Sequence, residues 1–189
     1  MANFYKKSQI VGGGALQKKS QKGRSMIEML GVLAIIGVLS IASISGYSKA
    51  MEKWKINKAI DQISIIIANV QTLFGGNTNN YSALGEKAYS LGVFPADMKK
   101  YKETVAFNVF GLGTWVYGSS DADYWVLDYY IPSRGACIAI ASQNWGKEGI
   151  LINGSIFIRN ETPISISKAN EACGNFADGD EMFIRLIFK

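Results

Sequence analysis

Few residues in this sequence can do chemistry, and the one that most needs explaining is Glu28. It stands at the head of a stretch, Met29 to Ile44, that is almost continuously apolar. A carboxylate placed in a bilayer is costly unless something offsets it. Were the chain cut between Gly23 and Arg24, a new ammonium would lie at the same end of the same helix, with Glu28 the fifth residue of the shortened chain. The alternative is a carboxylate resting in the interfacial zone without a task. Other chemistries are thinly supplied. The 189 residues include no histidine, which excludes Ser-His-Asp and Cys-His catalysis, and two cysteines are too few for a zinc site. Asp178-Gly-Asp-Glu181 has the oxygen ligands that calcium favours, but too few of them, and reads as a solvated turn. Gly12-Gly-Gly14 follows no strand and does not cradle a phosphate. No catalytic set and no cofactor site emerges, so the chain does not read as an enzyme.

Charge is distributed unevenly. The formal net charge is +5, yet five lysines (Lys6, Lys7, Lys18, Lys19 and Lys22) precede Gly23 without a single acid among them. The remainder carries 15 basic and 15 acidic residues. A nucleic-acid-binding domain would hold its basic stripe on the folded part, so no direct nucleic-acid partner is expected. Lysines ahead of an apolar segment instead hold that side in the cytoplasm. Residues 1–23 are not an ordinary secretory signal, because the candidate cleavage glycine comes before the apolar region rather than after it. The apolar helix would therefore be kept. The two cysteines, Cys137 and Cys173, lie beyond it, on the side away from the lysines. In a Gram-negative cell that side is the oxidising periplasm, where one bridge could persist, although two separate buried thiols are the alternative.

The elements that position these residues begin with one long helix. No proline interrupts Met26 to Phe74, and a continuous helix over that span would run about 70 Å. Its first half is apolar all round. In its second half Ile56, Ile60, Ile63, Ile67, Val70 and Phe74 recur every three or four residues, a single stripe that must pack on something. Gly75 to Asn80 stop it, since glycine and asparagine accept the backbone a helix end needs. Tyr81 to Val93 reads as a short helix in a long connection. Strands are then expected at Val105–Phe110, Thr114–Tyr117, Tyr124–Ile131, Cys137–Ser142, Gly149–Ile152, Ser155–Arg159 and Met182–Phe188. Pro132 to Gly135 reads as a turn between strands, Asn153-Gly154 as a hairpin turn, and 160–170 as an exposed polar loop. Alternating aromatics read as a sheet face, not as a platform for sugars or bases.

Gly23-Arg-Ser-Met-Ile-Glu28 followed by an apolar helix resembles the prepilin signal of type IV pilins and their relatives. Asn80 to Leu84, Gly92 to Met98 and Ile131 to Cys137 are similar to the head of type IVb pilins, and Ser45 stands where many type IV pilins carry proline. The resemblance implies an α+β pilin fold: a long N-terminal helix packed on an antiparallel β-sheet head, with one disulfide between Cys137 and Cys173. It implies a leader at 1–23, a transmembrane or filament-core half helix at 24–46, and a head at 47–189. It implies cleavage by a prepilin peptidase between Gly23 and Arg24, and methylation of Arg24, an arginine where the family usually has a hydrophobic residue. Glu28 would neutralise a neighbour's N-terminal amine. The implied partners are further copies of the chain in a helical filament, the peptidase, an inner-membrane assembly platform with its ATPase, and the membrane during biogenesis. The implied location is the inner membrane with the head in the periplasm, then a pilus on the cell surface. A minor pilin or type II secretion pseudopilin would share this N-terminus, and a membrane-anchored periplasmic binding module is the reading from another class.

Overall fold

The computed structural model describes residues 26–75, 81–118, 124–145, 149–152, 156–159, 163–174 and 182–189, with only the backbone of 156–159, Ala42 and Ser45. The chain divides into two units, Met1–Ser45 and Gly46–Lys189. Helix α1 covers Met26–Phe74, the whole proline-free span. In the first unit every large apolar side chain from Met26 to Ile44 is exposed, by 52 to 83 %.

The second unit takes the remainder of α1 and packs one of its faces. Ala59, Ile63, Ile66 and Val70 are completely buried, and Ile56, Ile60 and Phe74 are half-buried at the ends of the same stripe. They share one apolar cluster with the inner face of a sheet. Among the described residues that sheet has seven strands: β1 (Lys99–Lys102), β2 (Val105–Phe107), β3 (Gly113–Gly118), β4 (Trp125–Ile131), β5 (Gly149–Ile152), β6 (Ile156–Arg159) and β7 (Met182–Phe188). Their spatial order is β1-β2-β3-β4-β7-β5-β6, and each pairing is antiparallel. Period-two alternation sets which residues face α1. Leu127 pairs with Leu186, which pairs with Ile150, and Tyr129 pairs with Ile184, which pairs with Ile152. All six are buried.

Several expected elements differ. The strand expected at Cys137–Ser142 is a helix, α3 (Arg134–Ala141). Ser133 caps it, its hydroxyl accepting from the Ala136 N–H, so the turn expected after Pro132 leads into a helix instead of a strand. The alternation of alanine and isoleucine imitates a strand, yet the buried set Ala136, Cys137, Ile140 and Ala141 follows helical spacing. The loop expected over 160–170 gives way to helix α4 (Ile166–Ala172), capped by Ser165, whose hydroxyl accepts from the Lys168 N–H. The expected strand Val105–Phe110 ends at Phe107, because Asn108 folds the chain back: its Oδ1 accepts from the N–H of Phe110 and of Leu112, and Gly111 takes φ +80°. The strand β1, four exposed residues, was without a hydrophobic signal. In the long connection Tyr81–Ala83 form a single 3₁₀ turn and Leu84–Lys87 a short helix, α2. Strands β5 and β6 pair as a hairpin, with Ile152 opposite Ile156, while the Asn153-Gly154 turn lies outside the described residues.

Cys137 and Cys173 form a disulfide with Cα atoms 6.0 Å apart, joining α3 to the end of α4. Both are fully buried. Closing a loop with a sequence separation of 36 removes freedom mainly from the unfolded chain. Replacing both cysteines by alanine should lower the unfolding free energy by about 2–4 kcal/mol. Urea denaturation of the oxidised and doubly substituted proteins, read by circular dichroism, measures this difference.

Candidate functional site

Glu28 lies in the first turn of α1 and is exposed, surrounded by apolar side chains of its own helix. A negative charge suits the N-terminal turn, where helix dipoles leave partial positive charge. Among the described residues Glu28 has no hydrogen-bonding or ionic partner of its own. The other polar side chains of this stretch behave differently. Ser40 Oγ donates to the Ile36 carbonyl at 2.7 Å and Ser43 Oγ to that of Leu39 at 2.8 Å, so both hydroxyls are satisfied within the helix. That is the arrangement a polar group needs where no water is present. The stretch is long and apolar enough to cross a membrane, and Glu28 is the exception within it. Gly23 and Arg24 lie outside the described residues.

In the head, α1 is held by a buried polar cluster. Gln62, 1 % exposed, donates through Nε2 to Asp97 Oδ2 at 2.9 Å. Its Oε1 accepts from Tyr129 OH at 2.8 Å and from the Val109 N–H at 3.1 Å. One side chain thus joins α1 to β4, to the turn after β2 and to the loop before β1. Asn69 adds a second tie, donating through Nδ2 to the carbonyls of Gly92 and Val93. Partial burial pushes the Asp97 carboxyl up, but hydrogen bonds from Lys58 Nζ and Gln62 Nε2 outweigh it and leave its pKa below the usual carboxylate value. Burial, reinforced by the Asp97 charge, pushes the Tyr129 hydroxyl far above its ordinary pKa, so it remains a donor.

The outer face of the sheet carries a second cluster. Arg185 grips Asp128 with two hydrogen bonds, Nε to Oδ1 at 2.6 Å and Nη2 to Oδ2 at 2.7 Å, and Tyr117 OH donates to Oδ2 at 3.2 Å. Desolvation and then the Asp128 charge raise the Tyr117 pKa to about 12. Trp115 packs on Tyr130 with ring centroids 4.7 Å apart, Tyr130 on Phe183 at 5.3 Å, and the Arg185 guanidinium lies over Phe183 and Tyr117. Gly113 makes room for this, since a Cβ there would meet the Trp115 ring. The aromatics therefore form a laterally packed sheet face. Nothing in their sequence spacing revealed the Asp128–Arg185 pair, which needs the β4–β7 register to bring the two residues opposite one another.

These features can be set beside known proteins. The family model described as Bundlin matches residues 48–189. The chain belongs to the bundlin family. As a bundlin it is a type IV pilin, a structural subunit and not an enzyme. A type IVb pilin from Salmonella typhi shares the fold, with a TM-score of 0.52 and 14 % identity, covering 70 % of this chain and 97 % of that one. No curated protein matches the chain. The polar ties of Gln62 and Asn69 secure the part of α1 that packs on the sheet.

Replacing Gln62 by leucine leaves the buried Tyr129 hydroxyl and Val109 N–H without their acceptor, a loss of about 1–3 kcal/mol for each group left unsatisfied. Urea unfolding should show a destabilisation of about 2–6 kcal/mol for the two groups together, with the disulfide intact. The depressed Asp97 pKa contributes stability that is present above the unfolded carboxyl value of about 3.9 and is lost as pH falls through the lower folded value. An Asp97→Asn variant should accordingly show a shallower loss of stability than the parent below about pH 4, measured by denaturation across pH.

Proposed function

We propose that this bundlin is the subunit of a type IVb pilus, made as an inner-membrane precursor with its head in the periplasm. A prepilin peptidase cuts between Gly23 and Arg24, and the Arg24 amine is methylated. The apolar half of α1 anchors the subunit until an assembly platform and its ATPase draw it into a helical filament. There the apolar halves pack together, and Glu28 meets the N-terminal ammonium of a neighbour. The observation that carries this reading is the Glu28 carboxylate, without a partner among the described residues, on a helix segment whose large apolar side chains are all exposed. Such a surface must be covered by lipid or by protein, and the carboxylate must then be compensated.

Edman sequencing of the processed chain should begin at Arg24. Substituting Glu28 by leucine should leave the precursor in the membrane and abolish filaments, because an uncompensated ammonium in apolar surroundings costs about 3–5 kcal/mol. The readout is the amount of subunit in sheared surface filaments. Filaments of normal yield from the Glu28→Leu chain would remove the proposal.

A further inference from the structure

The head carries unpaired lysines where its chain leaves the apolar segment. Lys49 and Lys53 are exposed and Lys55 is half-buried, and none has an ionic partner among the described residues. Three other cations of the head are engaged: Lys58 with Asp97, Lys100 with Glu103 and Arg185 with Asp128. The acid between the free lysines does not neutralise them. Glu52 is turned toward the start of α3, where its Oε1 accepts from Ser133 Oγ at 3.3 Å. Tyr47 lies just ahead of them and is 68 % exposed.

Position decides what these residues meet. Tyr47 and Lys49 follow the last large apolar residue, Ile44, by three and five places, roughly 5–8 Å of helix. The polar layer of a bilayer beyond its hydrocarbon core is roughly 5–8 Å deep on each side. Tyrosine is favoured at that depth, having an apolar ring and a polar tip. Lys53 and Lys55 lie farther out, where their long side chains stay within the roughly 8 Å screening distance of the surface. Trp54, although exposed, is ten places past Ile44 and falls outside the layer. These lysines also oppose the charge bias that places the leader in the cytoplasm, since basic residues are normally scarce on the exported flank.

We infer that Tyr47, Lys49, Lys53 and Lys55 form an interfacial belt that binds anionic phospholipid headgroups of the leaflet on the head side. The inference rests on the membrane-anchored stage proposed above. The belt fixes how deep the subunit sits and adds an electrostatic hold that must be released when the subunit leaves the membrane. The four residues span about 12 Å of helix and point to different sides of it, so they meet the headgroup layer from its inner edge outward and not on one face.

The test uses the full chain in nanodiscs of mixed phosphatidylcholine and phosphatidylglycerol, with the retained lipids counted by native mass spectrometry. Wild type should retain phosphatidylglycerol in roughly fivefold excess over its bulk share, and raising the salt should erase the excess. A chain with Lys49, Lys53 and Lys55 all changed to glutamine should return to the bulk ratio while keeping the head's circular dichroism. Equal enrichment in the two chains would overturn the belt and leave the anchor intact. A chain that alkaline carbonate strips from the discs would overturn both. Lysines that become protected from acetylation only in assembled filaments, with no lipid enrichment beforehand, would assign this surface to a neighbouring subunit and also overturn the belt.

Discussion

One side chain sets how α1 lies on the head. Gln62 is the polar residue in the middle of an otherwise apolar buried face, and a buried amide is tolerated only when its donors and acceptor find partners. Here they do so on three separate elements, β4, the turn after β2 and the loop carrying Asp97. Turning the helix by one residue, about 100°, would bring Asp61 or Ile63 toward that position and strand Tyr129 and Val109. Apolar stripes alone fix such a rotation loosely, since isoleucines can slide past one another at small cost. The amide makes the setting discrete. The same amide also contributes, after Lys58, to the lowered pKa of Asp97.

Two demands meet in this helix. Beyond residue 56 it gives one face to a core and the other to water; from 26 to 44 it gives its whole circumference to the outside. The serines show how the second demand is met, because each returns its hydroxyl to the preceding turn and leaves no polar group seeking solvent. Glu28 cannot do this. A carboxylate has only acceptors, and the carbonyls of its own helix are acceptors too. The donors its own helix could offer are the free N–H groups of the first turn, and among the described residues none bonds to it. The bundlin match begins at residue 48 and covers the head.

The sequence was most legible where one signal acted alone. The absence of proline and the stripe from Ile56 to Phe74 mark α1 to its last residue, and β5 and β7 follow from short apolar runs. It misled where local pattern and long-range contact disagreed. Gly135 to Ala141 alternates like a strand, but Ser133 can cap a helix and Cys137 must reach a partner on α4; those two constraints prevail. Ile166–Ala172 hides its helix because only its small alanines are buried. Strand β1, with three lysines around Tyr101, pairs through its backbone with β2 and buries no side chain. A row of lysines on the outermost strand also discourages further strands from adding there. Of the site, Glu28 stands out as a charge at the head of an apolar stretch and the cysteines by their rarity, whereas Gln62 and Asp128 look like any polar residue until the register places them.

The order of strands has a consequence for how the head matures. Strand β7 is the latest of the seven in the chain, yet it lies between β4 and β5 and joins the β1–β4 meander to the β5–β6 hairpin. Until β7 has emerged, the hairpin has no neighbour on which to dock and the meander keeps an open border. Native architecture therefore cannot build up stepwise as the polypeptide emerges during export. The sheet closes only with its C-terminal strand, and pairings between segments far apart in the chain slow folding and leave the incomplete head open to proteases and to mispairing.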